Sequence, residues 1–91
     1  MPTIRVKFSG AFADAAHKRE TTYQISSFLL GGLIEHLLEN NDDKFRLLMI
    51  DPATGDVRRG VTILVNGQRL SLKDQIAEGD EVTLLTPVAG G

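Results

Sequence analysis

The sequence has 91 residues, of which 42% are hydrophobic and 24% charged, and its formal net charge is −2. That is enough apolar material for one modest core and too little charge for disorder. The near-balance excludes a basic footprint for nucleic acid or an anionic membrane surface. No apolar run approaches the ~20 residues of a bilayer span, and the absence of cysteine excludes disulfides, thiolate metal sites and a cysteine nucleophile. The opening residues MPTIRVKF lack a signal-peptide layout, so one cytoplasmic domain over 1–91 is expected.

In TIRVKF, Ile4, Val6 and Phe8 alternate with Thr3, Arg5 and Lys7, the pattern of a half-buried strand. Ser9-Gly10 and the small residues of AFADAAHKRE predict a turn and loop. TTYQI, residues 21–25, alternates again and predicts a second strand returning antiparallel. Ser26 or Ser27 can cap a helix, whose apolar stripe is Leu30, Leu33, Ile34, Leu37 and Leu38. Gly31 and Gly32, each costing ~1 kcal/mol in a helix interior, are expected in its first turn, where fraying is cheap. Asn40-Asn41 marks its end, and DDKFRLLMI adds a short helical turn before extended chain.

DPATGD, residues 51–56, is a loop by composition. Val61, Ile63 and Val65 form one face of a third strand, and Asn66-Gly67 predicts a tight hairpin because both residues tolerate positive φ. Arg69 to Leu72 would return as a short strand, Glu78-Gly79-Asp80 would turn, and Glu81 to Thr86 would form the last strand. The order β, β, α, β, short β, β describes an α+β fold, with one main helix across one face of a mixed sheet. The well-patterned first and last strands are candidates for the centre of that sheet.

This pattern holds no catalytic constellation. His17 falls in a polar loop and His36 on the polar side of the helix stripe, neither in context with a Ser or Asp, so both read as solvated. Asp42-Asp43 reads as a helix start, and Glu78, Asp80 and Glu81 as turn residues without calcium-loop spacing, so no metal site is expected. Gly31-Gly32 lacks the preceding strand and following Lys-Ser/Thr of a phosphate loop. If Ile63, Val65, Val82 and Leu84 face the core, Leu64 and Leu85 face outward. Scattered apolar surface residues are ordinary; the functional reading is a partner-binding patch.

The sequence closes on Pro87, Val88, Ala89, Gly90 and Gly91. Two glycines fit a slot that would clash with any side chain and leave a terminal carbonyl carbon open to attack, while Pro87 and Val88 keep the approach extended. The plain alternative is a frayed terminus.

TILVNG at 62–67, EGDEVTLL at 78–85 and TPVAGG at 86–91 together resemble the ubiquitin-like sulfur carriers (the MoaD/ThiS family). The pattern is most similar to the MoaD type, the small subunit of molybdopterin synthase. The resemblance implies a β-grasp fold with a flexible C-terminal tail at 87–91. It also implies a protein cosubstrate rather than an enzyme. The Gly91 carboxylate would be adenylated by a ubiquitin-activating-type partner (MoeB/ThiF-like) that uses ATP and magnesium, then converted to a thiocarboxylate. This chain would bind no cofactor itself. Its sulfur would pass to an acceptor such as the molybdopterin synthase large subunit, with Leu64, Leu85 and Pro87–Ala89 meeting the partners. The longer middle segment, RLLMIDPATGDVRRG, is similar to that of some MoaD-like and cysteine-synthesis carriers and leaves the acceptor open. The alternatives are a cysteine or thiazole pathway, or a protein modifier joined to lysine through Gly91.

Overall fold

A computed structural model describes residues 1–86; the expected tail at 87–91 lies outside the described residues. The elements in order are β1 (Thr3–Phe8), α1 (Ala11–Ala16), β2 (Glu20–Gln24), α2 (Leu30–Glu39), α3 (Asp43–Met49), β3 (Thr62–Val65), β4 (Gln68–Arg69) and β5 (Glu81–Leu85). The strands form one mixed sheet in the order β2-β1-β5-β3-β4. β1 and β5 lie side by side and parallel at its centre, with Val6 opposite Val82 and Phe8 opposite Leu84. The flanking pairs β1–β2, β3–β5 and β3–β4 are antiparallel.

Alternation along the strands puts Ile4, Val6, Phe8, Ile63, Val65, Val82 and Leu84 on one buried face. Leu30, Leu33, Ile34 and Leu37 of α2 join them in the core, and the expected stripe is confirmed except that Leu38 is only half-buried. Phe45 and Met49 of α3 complete it, with the Phe45 ring 5.8 Å from Phe8 and 5.3 Å from Phe12. Such offset and edge contacts suit the ring quadrupoles. Asp42 caps α3 by accepting a hydrogen bond from the Phe45 N–H at 3.2 Å.

Several expectations need correction. AFADAAHKRE is not all loop, because Ala11–Ala16 is helical. Alanine is the strongest helix former, and Phe12, Ala15 and Ala16 give one buried face at i, i+3 and i+4. Six residues are too few to show a repeating period. The returning strand is only Gln68–Arg69 rather than Arg69 to Leu72. Ser71 N–H turns to the Asp74 carboxylate at 2.7 Å, and the Leu72 carbonyl accepts from Gly31 N–H at 2.9 Å, so the backbone leaves the sheet for α2. His36 is half-buried rather than fully solvated, its ring 4.8 Å from that of Tyr23.

The start of α2 also differs in mechanism. Leu29 stands at its cap with no side-chain bond, and Ser27 Oγ instead accepts from the Leu29 N–H. The N–H groups of Leu30 and Gly31 donate to the carbonyls of Asp74 and Leu72, which satisfies donors every helix start leaves open. Gly31 and Gly32 do occupy the first turn, for a reason of space rather than fraying. A Cβ on Gly31 would lie 3.1 Å from the Leu72 carbonyl oxygen, and one on Gly32 would collide with Cβ and Oγ of Ser27. Helix propensity alone would make Gly32→Ala stabilising by roughly 1 kcal/mol. The collision reverses the sign: chemical denaturation should show Gly32→Ala to be destabilised by about 1–3 kcal/mol, the range of overpacked sites.

Candidate functional site

The site is the place where β5 hands the chain to residue 87, together with the sheet face beside it. Two sets of bonds fix that point. At the end of β5, Ser9 Oγ donates to the Leu84 carbonyl at 3.0 Å and Ser9 N–H to the same oxygen at 3.3 Å. Gly10 follows at φ 55, so close to Thr86 that an added Cβ would lie 2.9 Å from Thr86 Oγ1. Glycine is required there for conformation and for space.

At the start of β5, the motif residues Asn66-Gly67 and Glu78 to Glu81 form a single network. Asn66 and Gly67 take φ 53 and 83, the left-handed pair of a tight hairpin. The Asn66 amide donates to Asp80 Oδ1 and accepts from Glu81 N–H, both at 2.9 Å, while its backbone N–H donates to the Glu81 carbonyl at 2.8 Å. Asp80 Oδ2 accepts from Ala77 N–H at 2.7 Å, and Glu78 Oε1 from Thr3 N–H at 3.1 Å. Glu78 and Asp80 are therefore turn clasps, whereas Glu81, expected as a turn residue, begins β5 and turns its carboxylate to Arg5 and Lys7.

Leu64 and Leu85 both lie on the sheet face opposite the core, half-buried, with Leu64 opposite Thr83 and Leu85 opposite Thr62. The register brings them together as diagonal neighbours. The same face carries ion pairs from Arg5 to Glu20 and Glu81, at 3.2 and 3.5 Å, and from Lys7 to Glu81 at 3.4 Å. Arg69 stands directly opposite Leu64. Beyond the end of β5, a groove of about 1410 Å³ is lined by Gly10, Leu47, Arg58, Val61, Leu85 and Thr86, among others.

Neither histidine stands at this exit: His17 ends α1 in the left-handed region, and His36 packs on Tyr23. Burial raises the Tyr23 phenol above its ordinary pKa, opposed by a hydrogen bond with the Asn41 side chain. Tyr23 belongs to edge strand β2, which β1 separates from β5. Gly90, Gly91, Pro87, Val88 and Ala89 lie outside the described residues, so the structure brings together only Leu64 and Leu85 of the sequence-predicted site. The roles of Ser9-Gly10 and Asn66 were not anticipated; the Asn-Gly and Glu-Gly-Asp-Glu motifs were visible, but not their pairing.

A family model described as the ThiS family matches residues 6–91. The chain belongs to the ThiS family. Its members are ubiquitin-like sulfur carriers and modifiers, and the mixed sheet with helices is their β-grasp arrangement. SAMP1 of Haloferax volcanii is 22% identical, with a TM-score of 0.89 over 98% of this chain and 99% of that one. A putative molybdopterin converting factor subunit 1 from Pyrococcus furiosus is 23% identical, with a TM-score of 0.79 over 97% and 100%. CysO of Mycobacterium tuberculosis is 27% identical, with a TM-score of 0.72 over 93% and 99%. A search of curated protein sequences gave no match.

In this ThiS-family chain the Asn66 clamp sets the register of β5 and so the place from which residue 87 departs. Asn66→Ala removes two side-chain hydrogen bonds and places alanine at positive φ. We expect a loss of about 1–3 kcal/mol in denaturant unfolding and faster hydrogen exchange at the Glu81 amide.

Proposed function

We propose that this protein is a sulfur carrier whose working group is the Gly91 carboxylate. The observation that carries this reading is the family match, which runs through Gly91 itself. The geometry supports it: a strand at the sheet centre, clamped at both ends, delivers the chain to the five residues PVAGG.

A carboxylate is a poor electrophile. A ubiquitin-activating-type enzyme of the MoeB/ThiF kind would use ATP and magnesium to join Gly91 to AMP, releasing pyrophosphate. A hydrosulfide equivalent from a sulfur donor then attacks the acyl carbon. The new C–S bond replaces the C–O bond to AMP, AMP departs with the electron pair, and a terminal thiocarboxylate remains. This is nucleophilic catalysis divided between proteins. Gly90 and Gly91 would let the terminus enter a narrow slot, with Pro87, Val88 and Ala89 lining its approach. Since no cysteine is present, no side-chain thiol competes for the sulfur.

The acceptor we propose is a molybdopterin synthase large subunit, a reading supported by the likeness to the Pyrococcus furiosus protein. Cysteine- and thiazole-forming enzymes are the other acceptor classes. A second reading, isopeptide attachment to lysine, is favoured by the end-to-end likeness to SAMP1. Blotting a host lysate for higher-mass, Gly91-dependent conjugates separates it from sulfur donation.

Ordering a tail costs conformational entropy, so the folded surface must supply affinity, and Leu64 and Leu85 are its proposed centre. Leu85→Asp should weaken binding to the adenylating enzyme about tenfold, or ~1.4 kcal/mol, with an unchanged circular dichroism spectrum; calorimetry showing wild-type affinity would remove Leu85 from the interface. Deleting Gly91 should abolish ATP–pyrophosphate exchange by that enzyme, and normal exchange by the truncated chain would refute the carrier reading.

A further inference from the structure

The cations of this protein are not treated alike. Among the described residues, the ion pairs involve Arg5 and Lys7, both held by Glu20 or Glu81 on the outer sheet face. Arg58, Arg59 and Arg69 form none, yet all three line one cavity of about 300 Å³ between residues 57–63 and 69–72. Among the described residues no carboxylate lines that cavity, although the whole chain carries a net charge of −2. Arg58 is anchored, its Nε donating to the Leu47 carbonyl at 2.6 Å across the end of α3, while Arg59 and Arg69 are exposed.

Their position connects them to the exit of β5. Arg58 and Arg59 also line the larger groove with Leu85 and Thr86, and Arg69 stands opposite Leu64. Asp51 and Asp56 line that groove too, but Asp51 is engaged by the Ala53 N–H at 2.9 Å and neither pairs with Arg58 or Arg59. We propose that Arg58, Arg59 and Arg69 form a docking surface for an acidic segment of the protein that receives the C-terminal tail.

Charge complementarity argues for carboxylates: a guanidinium fork matches a carboxylate in two parallel hydrogen bonds and loses little hydration in doing so. Continuity with Leu64 and Leu85 argues for a protein, since the arginines then form the charged rim of an apolar contact. A nucleic acid fits less well, as no aromatic ring lines the cavity for a base to stack on. Rim charges of this kind act chiefly on the rate of encounter. The identity of the partner rests on the sulfur-carrier reading; the chemistry of the surface does not.

The test has two arms. In the first, the isotope-labelled full chain is titrated at low salt with a hexaglutamate peptide and, separately, with inorganic tripolyphosphate, and amide shifts are followed by NMR. Peptide shifts confined to 57–63 and 69–72, and lost in the double variant Arg59→Glu/Arg69→Glu, are expected. Arg58 is left intact because it supports α3. Saturable tripolyphosphate binding at these arginines without peptide shifts would overturn the proposal in favour of a phosphate ligand. In the second arm, association with the adenylating enzyme is timed for wild type, for Arg59→Glu/Arg69→Glu, and for Lys18→Glu/Lys44→Glu with the same charge change elsewhere. The arginine variant should associate about tenfold more slowly at low salt. The gap should close near 1 M salt, where screening acts over ~3 Å. Equal slowing in both variants would reduce the effect to net charge and overturn the docking surface. A wild-type chain that is never adenylated would defeat the carrier reading, and the peptide arm would still decide the arginines.

Discussion

The parallel pairing of β1 with β5 is the constraint on which the rest depends. It joins residues 5–8 to residues 81–84, near opposite ends of the sequence, and so closes the sheet around one apolar face. Parallel strands require a long crossover, and everything between them, three helices, β2 and the β3–β4 hairpin, packs within that crossover. The same pairing decides where the chain leaves the fold. With β5 bonded on both sides, Ser9 holding its end and Asn66 its start, Thr86 has one position relative to the outer face.

That rigidity gives the outer face its meaning. Leu64 and Leu85 become neighbours only because β3 and β5 are antiparallel in this register, and a slip of β5 by one residue would turn Leu85 into the core. Arg69 reaches the same region through the hairpin, and Arg58 and Arg59 through the loop that follows α3. An apolar pair, a cationic rim and the exit of the chain thus share one side of the molecule. A partner that engages the first two is placed to receive the third.

The strands were legible because half-burial writes a two-residue period into sequence, as in Ile4, Val6 and Phe8. The stripe of α2 and the Asn66-Gly67 turn were equally plain. What escaped was structure whose cause is not local. The helix α1 is one and a half turns of small residues and acquires stability only by laying Phe12 and Ala15 into a core assembled from elsewhere. The absence of side chains at Gly31 and Gly32 records contacts with Leu72 and Ser27, which no periodicity contains. Likewise Asn66 and Asp80 each looked like ordinary turn residues, and only folding shows that one amide joins the two turns. The arginine cavity was invisible for the same reason, since its residues come from separate segments whose charges average out along the chain.

Sulfur carriage is decided by the chemistry of the terminus. The most direct measurement is the intact mass of the full chain after incubation with a ubiquitin-activating-type enzyme, ATP and a sulfur donor, with the modified residue located by fragmentation. A sulfur carrier gains the mass of one sulfur in place of one oxygen, at Gly91. An unchanged mass across the host's full complement of adenylating enzymes, with ATP supplied, would contradict sulfur carriage.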